Sequence, residues 1–339
     1  MSKYLELFKG AFDDSIGTKT KPENKPYIGY SLTEGKLVYT VVPAKEEPVS
    51  SAYVTFKSEE PNSTISIEYL EYYVDDINHI IEYSTDCSNW TEIRDIESGI
   101  TFTLNNIGDE VYVRGFLKND VEYINELLPH IQFRTTGKIA ASGNCNALWN
   151  YQDLNAPLKK KCGYNMFSNC TSLTAAPELP ATELADSCYS GMFSNCTSLT
   201  AAPELPATEL ADSCYSRMFS NCTSLTAAPE LPATELVDSC YSGMFSNCTS
   251  LTAAPELPAT ELVDWCYDRM FSGCTSLNYI KCLATSKKAN DTYQWTNNIY
   301  PTGIFVKHPN AAWKFTTPAE MMVGSYGIPE GWTVVDAEV

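Results

Sequence analysis

Cysteine is the residue type whose number and spacing in this chain could most readily carry chemistry. Ten of the thirteen cysteines form two series with one constant step. The first series is Cys162, Cys188, Cys214, Cys240 and Cys266, and the second is Cys170, Cys196, Cys222, Cys248 and Cys274. Zinc is disfavoured, because the chain has no Cys-x-x-Cys pair and only three scattered histidines. We interpret the two series as free thiols that fill small spaces in a repeated core, with disulfides as the alternative.

Paired carboxylates, which a glycoside hydrolase would need, are plentiful, and those in the repeats come as repeat copies. One series is Glu178, Glu204, Glu230 and Glu256, and another is Glu183, Glu209, Glu235 and Glu261. A catalytic pair needs two different environments to separate its pKa values, whereas identical stacked positions provide the same environment. The sequence also lacks a nucleophile elbow, a phosphate-binding P-loop, a GxGxxG motif and an HExxH motif. We therefore predict no enzymatic activity, no cofactor and no metal site, and interpret these carboxylates as solvated surface.

Charge and hydropathy exclude further classes of function. The chain of 339 residues has 42 acidic and 23 basic residues, which gives a formal net charge of −19. This balance argues against binding of nucleic acid, which needs a basic surface, and against docking on anionic lipid. No apolar run approaches the roughly 18 residues of a membrane-spanning helix, and the N-terminus has no apolar signal region. We expect no membrane insertion and no secretory signal.

The feature that must position these side chains is a repeat with a period of twenty-six residues. The line MFSNCTSLTAAPELPATELADSCYSG recurs almost letter for letter, and its Met-Phe pair begins at residues 166, 192, 218, 244 and 270. One copy has too few apolar positions to form a core, but stacked copies can bury them together. The sequence therefore predicts a stacked repeat in which Leu173, Leu199, Leu225 and Leu251 form one buried column.

These residues carry a family resemblance over about 162–284. The Phe-x-x-Cys-x-x-Leu motif, followed by a short strand that Leu-Pro closes, resembles the BspA-type leucine-rich repeat of Bacteroides-group surface proteins. The chain is most similar to versions carried on virions of Bacteroides gut phages. The resemblance implies that the leucine after the cysteine opens a strand and that the Met-Phe segment forms a short helical turn. Because a proline such as Pro177 falls inside each expected strand, the strand is either very short or polyproline-like.

The flanking segments complete the expected organisation. Runs at 52–56, 64–70, 100–104 and 110–115, with a hairpin over 79–93, are typical of a small antiparallel sandwich. In the last copy, CTSLNYIKCLATS replaces CTSLTAAPELPAT and indicates the start of a terminal cap. We predict a mainly β chain with an N-terminal arm at 1–48, a β-sandwich at 49–140, a leucine-rich-repeat solenoid at 141–286 and a cap at 287–339.

The N-terminal arm has two interpretations. It is either an extended segment before the first domain or an attachment peptide, with a strand expected over Lys36–Val42 in both cases. Its apolar anchor would be Tyr4, Leu5, Leu7, Phe8, Phe12 and Tyr27. As an attachment peptide, it would pair with other virion proteins and would not be an integral part of the sandwich.

The resemblance implies a non-enzymatic surface protein. The first hypothesis is a virion surface protein, a head or tail fibre or decoration, that binds a host surface protein or glycan through the solenoid. The alternative is a bacterial cell-surface adhesin of the BspA type. A homo-oligomer is expected, and the ligand stays open. The candidate binding residues on the solenoid surface are Thr174, Glu178, Thr200, Glu204, Arg217, Thr226, Glu230, Thr252, Glu256, Trp265 and Arg269.

Overall fold

The structure, a computed structural model, forms two compact units, residues 1–50 and residues 51–339. It describes residues 27–33, 36–42, 52–70, 79–93, 99–117, 130–285, 291–313, 315–316 and 327–338. Over these residues the chain is mainly β, with one short helix, α1 (Ala147–Asn150). None of the helical structure in this part of the chain is long and apolar enough to cross a bilayer.

The first unit contains a hairpin. Strand β1 (Tyr27–Thr33) pairs antiparallel with β2 (Lys36–Val42), and Tyr27 lies opposite Val42. The strand expected over Lys36–Val42 is thus confirmed. Its partner is Tyr27–Thr33 of the same chain, so this part of the expected arm is a hairpin and not a single extended segment. The other expected anchor residues, Tyr4, Leu5, Leu7, Phe8 and Phe12, lie outside the described residues.

The second unit begins with two sheets that face each other. The strands are β3 (Val54–Ser58), β4 (Ser63–Leu70), β5 (His79–Ser84), β6 (Thr91–Glu92), β7 (Ile100–Leu104), β8 (Glu110–Leu117), β9 (His130–Thr136) and β10 (Ile139–Gly143). One sheet includes β10-β3-β8-β5-β6, and the other is β7-β4-β9. The strands and the hairpin expected from the sequence are therefore present, with ends that differ by a few residues.

Alternation of side chains along these strands builds the first part of the core. On β4, Ile65 and Ile67 are fully buried, whereas Thr64 and Ser66 point away from the core. Across the two sheets, the rings of Phe56 and Phe133 lie with their centroids 4.8 Å apart. The crossing from β7 to β8 uses a tight turn in which the Asn106 backbone N–H donates to the Asp109 carboxylate at 2.9 Å.

The repeats follow directly from the first sheet. Strand β11 (Leu173–Ala175) opens at Leu173, as the resemblance implied, and pairs parallel with β10. The predicted boundary at residue 140 therefore lies within a strand that belongs to the same sheet as the first copy. The leucines of the predicted column, Leu173, Leu199, Leu225 and Leu251, are all fully buried.

Strand pairing between the middle copies is very short. The pair Ala201–Ala227 is a single bridge, and a longer strand returns at β12 (Ala253–Leu257). The register of β12 against its neighbour shifts between Ala253 and Glu256, on either side of Pro255. Proline has no N–H to donate, which accounts for the interrupted pairing. The strands are very short in the first and middle copies, whereas β12 extends over five residues with Pro255 inside it.

Parallel strands continue beyond the last copy. They are β13 (Tyr279–Cys282), β14 (Ile304–Lys307), β15 (Phe315–Thr316), β16 (Ile328–Pro329) and β17 (Thr333–Asp336). The order β12-β13-β14-β17 forms one parallel sheet, in which Ile280, Phe305 and Val334 lie in register. One apolar core extends from the two N-terminal sheets through the repeats to this sheet.

Candidate functional site

Each repeat copy has two parts, a turn segment and a strand segment. In the second copy the turn segment is residues 187–195 and the strand segment is residues 199–205. Backbone N–H groups of the turn segment alternate between two partners. Met192 and Ser194 donate to the carbonyl three residues earlier, whereas Phe193 and Asn195 donate to carbonyls of the next copy at 2.9 and 2.8 Å. The turn segments are therefore joined by a ladder of backbone hydrogen bonds.

The turn segment is a row of turns and not the short helical turn that the resemblance implied. Three residues spaced by four have a positive φ, with 58° at Ser187, 63° at Gly191 and 63° at Asn195, and in this copy Tyr189 has a φ of 61° as well. A left-handed residue interrupts a right-handed helix. The N–H groups of Ser187, Gly191 and Asn195 themselves donate to carbonyls of the next copy. Glycine and asparagine adopt this conformation at low cost, which accounts for two of the three positions.

Two columns of stacked rings fill the interior between the two segments. Phe193, Phe219, Phe245 and their equivalents lie with neighbouring centroids 5.4–5.9 Å apart and nearly parallel planes. At the N-terminal end, Phe133 of β9 stacks on Phe167 at 4.9 Å. The tyrosine column ends with Tyr267, and Trp295 closes both columns, at 6.3 Å from Tyr267 and from Phe271. Both columns thus continue into the segments that flank the repeats.

The second cysteine series has a structural role in this interior. Each thiol donates to the carbonyl of a buried phenylalanine in the layer before it, as from Cys196 to Phe167 and from Cys222 to Phe193, both at 3.1 Å. The same bond joins Cys170 to Phe133 of β9 at 3.1 Å. Burial raises the pKa of Cys222 and of Cys274 to about 12, so these groups keep the proton that they donate. The thiols therefore connect successive layers.

The outward side of the strand segment has the threonines and glutamates predicted as binding residues. Thr200, Thr226 and Thr252 are exposed, as are Glu178, Glu204, Glu230 and Glu256. Thr174 differs from its equivalents, because it is only partly exposed and its hydroxyl lies 2.8 Å from the Glu59 carboxylate and 3.1 Å from the Ile139 carbonyl. Thr174 therefore fixes the junction with the N-terminal sheets.

The remaining predicted residues lie in the turn segment. Arg217, Trp265 and Arg269 are exposed, and all three have a positive φ. The structure therefore divides the predicted set between the two segments of the repeat and does not bring it together in one site. Trp265 and Arg269 share a neighbour, the ring of Tyr293, with Trp265 at 6.1 Å between centroids and the Arg269 guanidinium at 5.1 Å from the centroid.

Two residues of this cluster were not found by sequence reasoning. Besides Tyr293, Gln294 contributes a side-chain oxygen that accepts a hydrogen bond from Arg269 Nε at 3.1 Å. Both lie after the last copy, in the layer that follows it, so the repeat pattern gives no signal for them. The signal that could have led there is the change from serine to tryptophan at residue 265.

Titratable groups of the described residues form no obvious reaction centre. Among these residues, no group of three or more histidine, cysteine, aspartate or glutamate side chains is placed to hold a metal ion. The ring of His79 is buried, and Nε2 lies 2.7 Å from the Leu148 carbonyl. Burial lowers the pKa of His79 to about 4, so the ring is neutral and acts as a structural donor.

Comparison with known proteins identifies the type of repeat. Residues 190–299, which are 110 of the 339 residues, match the family model of the BspA type Leucine rich repeat region in six copies. No curated protein and no solved structure matched the chain. The chain therefore contains BspA-like leucine-rich repeats, as the residues indicated, and such a region suggests a repeat protein of the surface or adhesion type.

Proposed function

We propose that this protein is a non-enzymatic surface protein that adheres to a host surface protein or glycan through its repeats. The observation that carries the proposal is the regular outward side of the strand segments. Thr200, Thr226 and Thr252, together with the glutamates four residues after each, are exposed in successive copies. A surface of this kind offers the same polar groups several times over, which suits attachment to a repetitive ligand by many weak contacts.

The repeats form a solenoid that is covered at both ends. At the N-terminal end, β10 pairs with the first copy and Phe133 continues the phenylalanine column. At the C-terminal end, Trp295 packs against Trp313 at 5.3 Å and Phe305 at 6.0 Å, which supports a cap among the described residues that follow the repeats. Covered ends prevent open-ended stacking and give the stiffness that a protruding adhesive element needs.

The place of display follows from the family resemblance of the repeats. We favour the surface of a phage virion, as a head or tail fibre or decoration, with residues 1–48 attached to other virion proteins and the protein assembled as a homo-oligomer. The alternative is a bacterial cell-surface adhesin. The two differ in what they attach to, because a virion protein binds the bacterial host and a cell-surface adhesin binds matrix or other cells.

The test is saturation binding of the fluorescently labelled full chain to two surfaces, bacterial cells of the Bacteroides group and immobilised animal matrix proteins. A variant with both Glu204→Lys and Glu230→Lys probes the strand side, and Trp265→Ser probes the turn side. Glu92→Lys, at an exposed position of the short strand β6, is the matched control. We expect saturable binding that at least one repeat variant weakens and that the control does not change.

Two results would contradict the proposal. Absence of saturable binding to both surfaces would remove the adhesive function. Equal binding by the wild type and by a variant with all three repeat substitutions would place the contact outside the repeats. Binding to bacterial cells favours the virion hypothesis, and binding to matrix proteins favours the cell-surface adhesin.

A further inference from the structure

Residues 244–269 differ from the 26 residues before them at few positions, and these positions cluster. Aligned residue by residue, 218–243 and 244–269 are identical except at three sites. Ser239 corresponds to Trp265, Ser242 to Asp268 and Gly243 to Arg269. All three changes fall within five residues of one turn segment, whereas the strand segment before it, residues 251–257, is unchanged. The departure is therefore local to this turn segment, in which Trp265 and Arg269 are exposed and Asp268 is buried.

Folding alone does not account for a tryptophan at residue 265. Its φ is 60°, and the equivalent residues Ser213 and Ser239 have φ values of 59° and 58°. A left-handed conformation is uncommon for a bulky residue, and such outliers are concentrated at functional sites. The side chain is also 41% exposed, although tryptophan is strongly buried on average. The Tyr293 ring meets the indole in an edge-to-face arrangement, and about two-fifths of Trp265 stays exposed.

The groups around the indole are polar and held in place. The Arg269 guanidinium lies against the Tyr293 ring, donates to Gln294 and is 3.8 Å from the Asp268 carboxylate. Asp264, directly before Trp265, is exposed. The cluster therefore combines an aromatic ring with fixed donors and with acceptors, and tryptophan, tyrosine and arginine are the residue types that carry most binding energy at interfaces.

The charges of the substituted residues and of the surface around them restrict the class of ligand. Relative to residues 218–243, residues 244–269 gain one acid and one base, so the net charge of this stretch is unchanged. The wider surface is acidic, with thirteen acids and two arginines between residues 166 and 270. An anionic ligand is repelled by this surface, and a cationic side chain is repelled locally by Arg269. A neutral ligand with an apolar face and several hydroxyl groups fits both conditions.

We propose that Trp265, Tyr293, Arg269 and Asp264 form a binding site for a neutral carbohydrate. The apolar face of a sugar ring packs on the exposed indole. Arg269 donates to hydroxyl oxygens and Asp264 accepts from hydroxyl groups. This inference rests on the proposed adhesive function and makes it more specific, because it names the ligand class and places the contact on the last turn segment.

The experiment measures binding of the labelled full chain to an array of neutral and anionic oligosaccharides, followed by titration with the best neutral one. Trp265→Ser restores the serine of the other copies, and Trp265→Tyr retains a ring. Asp212→Asn, at the exposed position equivalent to Asp264 two copies earlier, is the matched control. We expect neutral oligosaccharides to bind, Trp265→Ser to weaken binding by about tenfold or more, Trp265→Tyr to weaken it less, and the control to bind as the wild type does.

A melting curve of each variant excludes a loss of folding. Trp265→Ser should melt at the same or a higher temperature, because three other copies have serine at this position with nearly the same φ. Preference for anionic oligosaccharides, or equal binding of neutral ones by Trp265→Ser, would overturn the inference. Binding to cells without binding to any oligosaccharide would also overturn it, and would leave the adhesive function intact with a protein as ligand. Loss of all binding would contradict both.

Discussion

Replacement of Phe219 by alanine tests how far the stacked rings stabilise the repeats. Phe219 is fully buried, and its ring stacks on those of Phe193 and Phe245 with 5.7 Å between centroids on both sides. Truncation of a buried phenylalanine costs about 3–5 kcal/mol, through lost burial and the cavity that remains. We expect about 4–5 kcal/mol here, because both faces of the ring lose an aromatic partner.

Phe219→Leu separates the stacking from the burial. Leucine keeps most of the apolar volume and loses two aromatic pairs, each worth about 0.5–1.5 kcal/mol, so a cost of about 1–3 kcal/mol is expected. Thr234→Ala, at an exposed position of the same copy, is the control and should change stability by less than about 0.5 kcal/mol. The assay is equilibrium unfolding in urea, followed by tryptophan fluorescence. A cost for Phe219→Ala well below the range expected for a buried phenylalanine, or equal costs for alanine and leucine, would refute the reasoning.

Three further predictions concern the exposure of the thiols, the buried ring of His79 and the stacked guanidinium of Arg114. Of the thirteen free thiols, Cys87 is the only one that is not buried. A thiol reagent should therefore label one site rapidly in the native protein and close to thirteen sites after unfolding without reductant. Rapid labelling of several thiols in the native protein would contradict the packing. The pKa of His79 is about 4 in the folded protein and about 6.5 when unfolded. Its contribution to the free energy of unfolding is therefore complete above pH 6.5 and is lost as the pH falls toward 4. At pH 4.5 the loss is about 2.5 kcal/mol. His79→Gln should remove that part of the acid destabilisation in urea unfolding, and an unchanged loss of stability between pH 6.5 and pH 4.5 in this variant would contradict the reasoning. The Arg114 guanidinium lies 3.9 Å from the ring centroids of Trp90 and Tyr151 and 2.7 Å from the Glu82 carboxylate. Arg114→Lys loses the planar group and should lower the free energy of unfolding by about 1–2 kcal/mol. The control Lys57→Arg should leave the free energy of unfolding almost unchanged.

The repeat period made the buried columns predictable. The constant step places Leu199 over Leu173 and Phe193 over Phe167, and apolar side chains that recur in this way must stack to leave water. Pro255 and its equivalents likewise predicted strands that are either very short or polyproline-like, because the missing N–H acts locally. The buried columns and the effect of the prolines could therefore be predicted, because both depend on the composition and spacing of the repeat.

The remaining features depend on contacts that no local pattern encodes. The left-handed conformation of Ser187 is imposed by the ladder to the next copy, and serine itself does not indicate it. Trp295 closes both ring columns from a segment outside the repeat, and Thr174 bonds to Glu59, which is far away in sequence. For the same reason, the division of the predicted binding residues between two segments, and the place of Tyr293 beside Trp265, required the structure.

The measurement that tests adhesion through the repeats most directly is carboxyl footprinting of the full chain on the surface that it binds. A carbodiimide labels exposed carboxylates, and mass spectrometry compares free and bound protein. The repeats offer many exposed carboxylates, among them Glu204, Glu230 and Glu261, while Glu59 and Glu92, which are also exposed, report on the N-terminal sheets. We predict that binding reduces labelling between residues 178 and 264 and leaves Glu59 and Glu92 unchanged. Protection of Glu59 and Glu92 with unchanged labelling of the repeats would contradict the account.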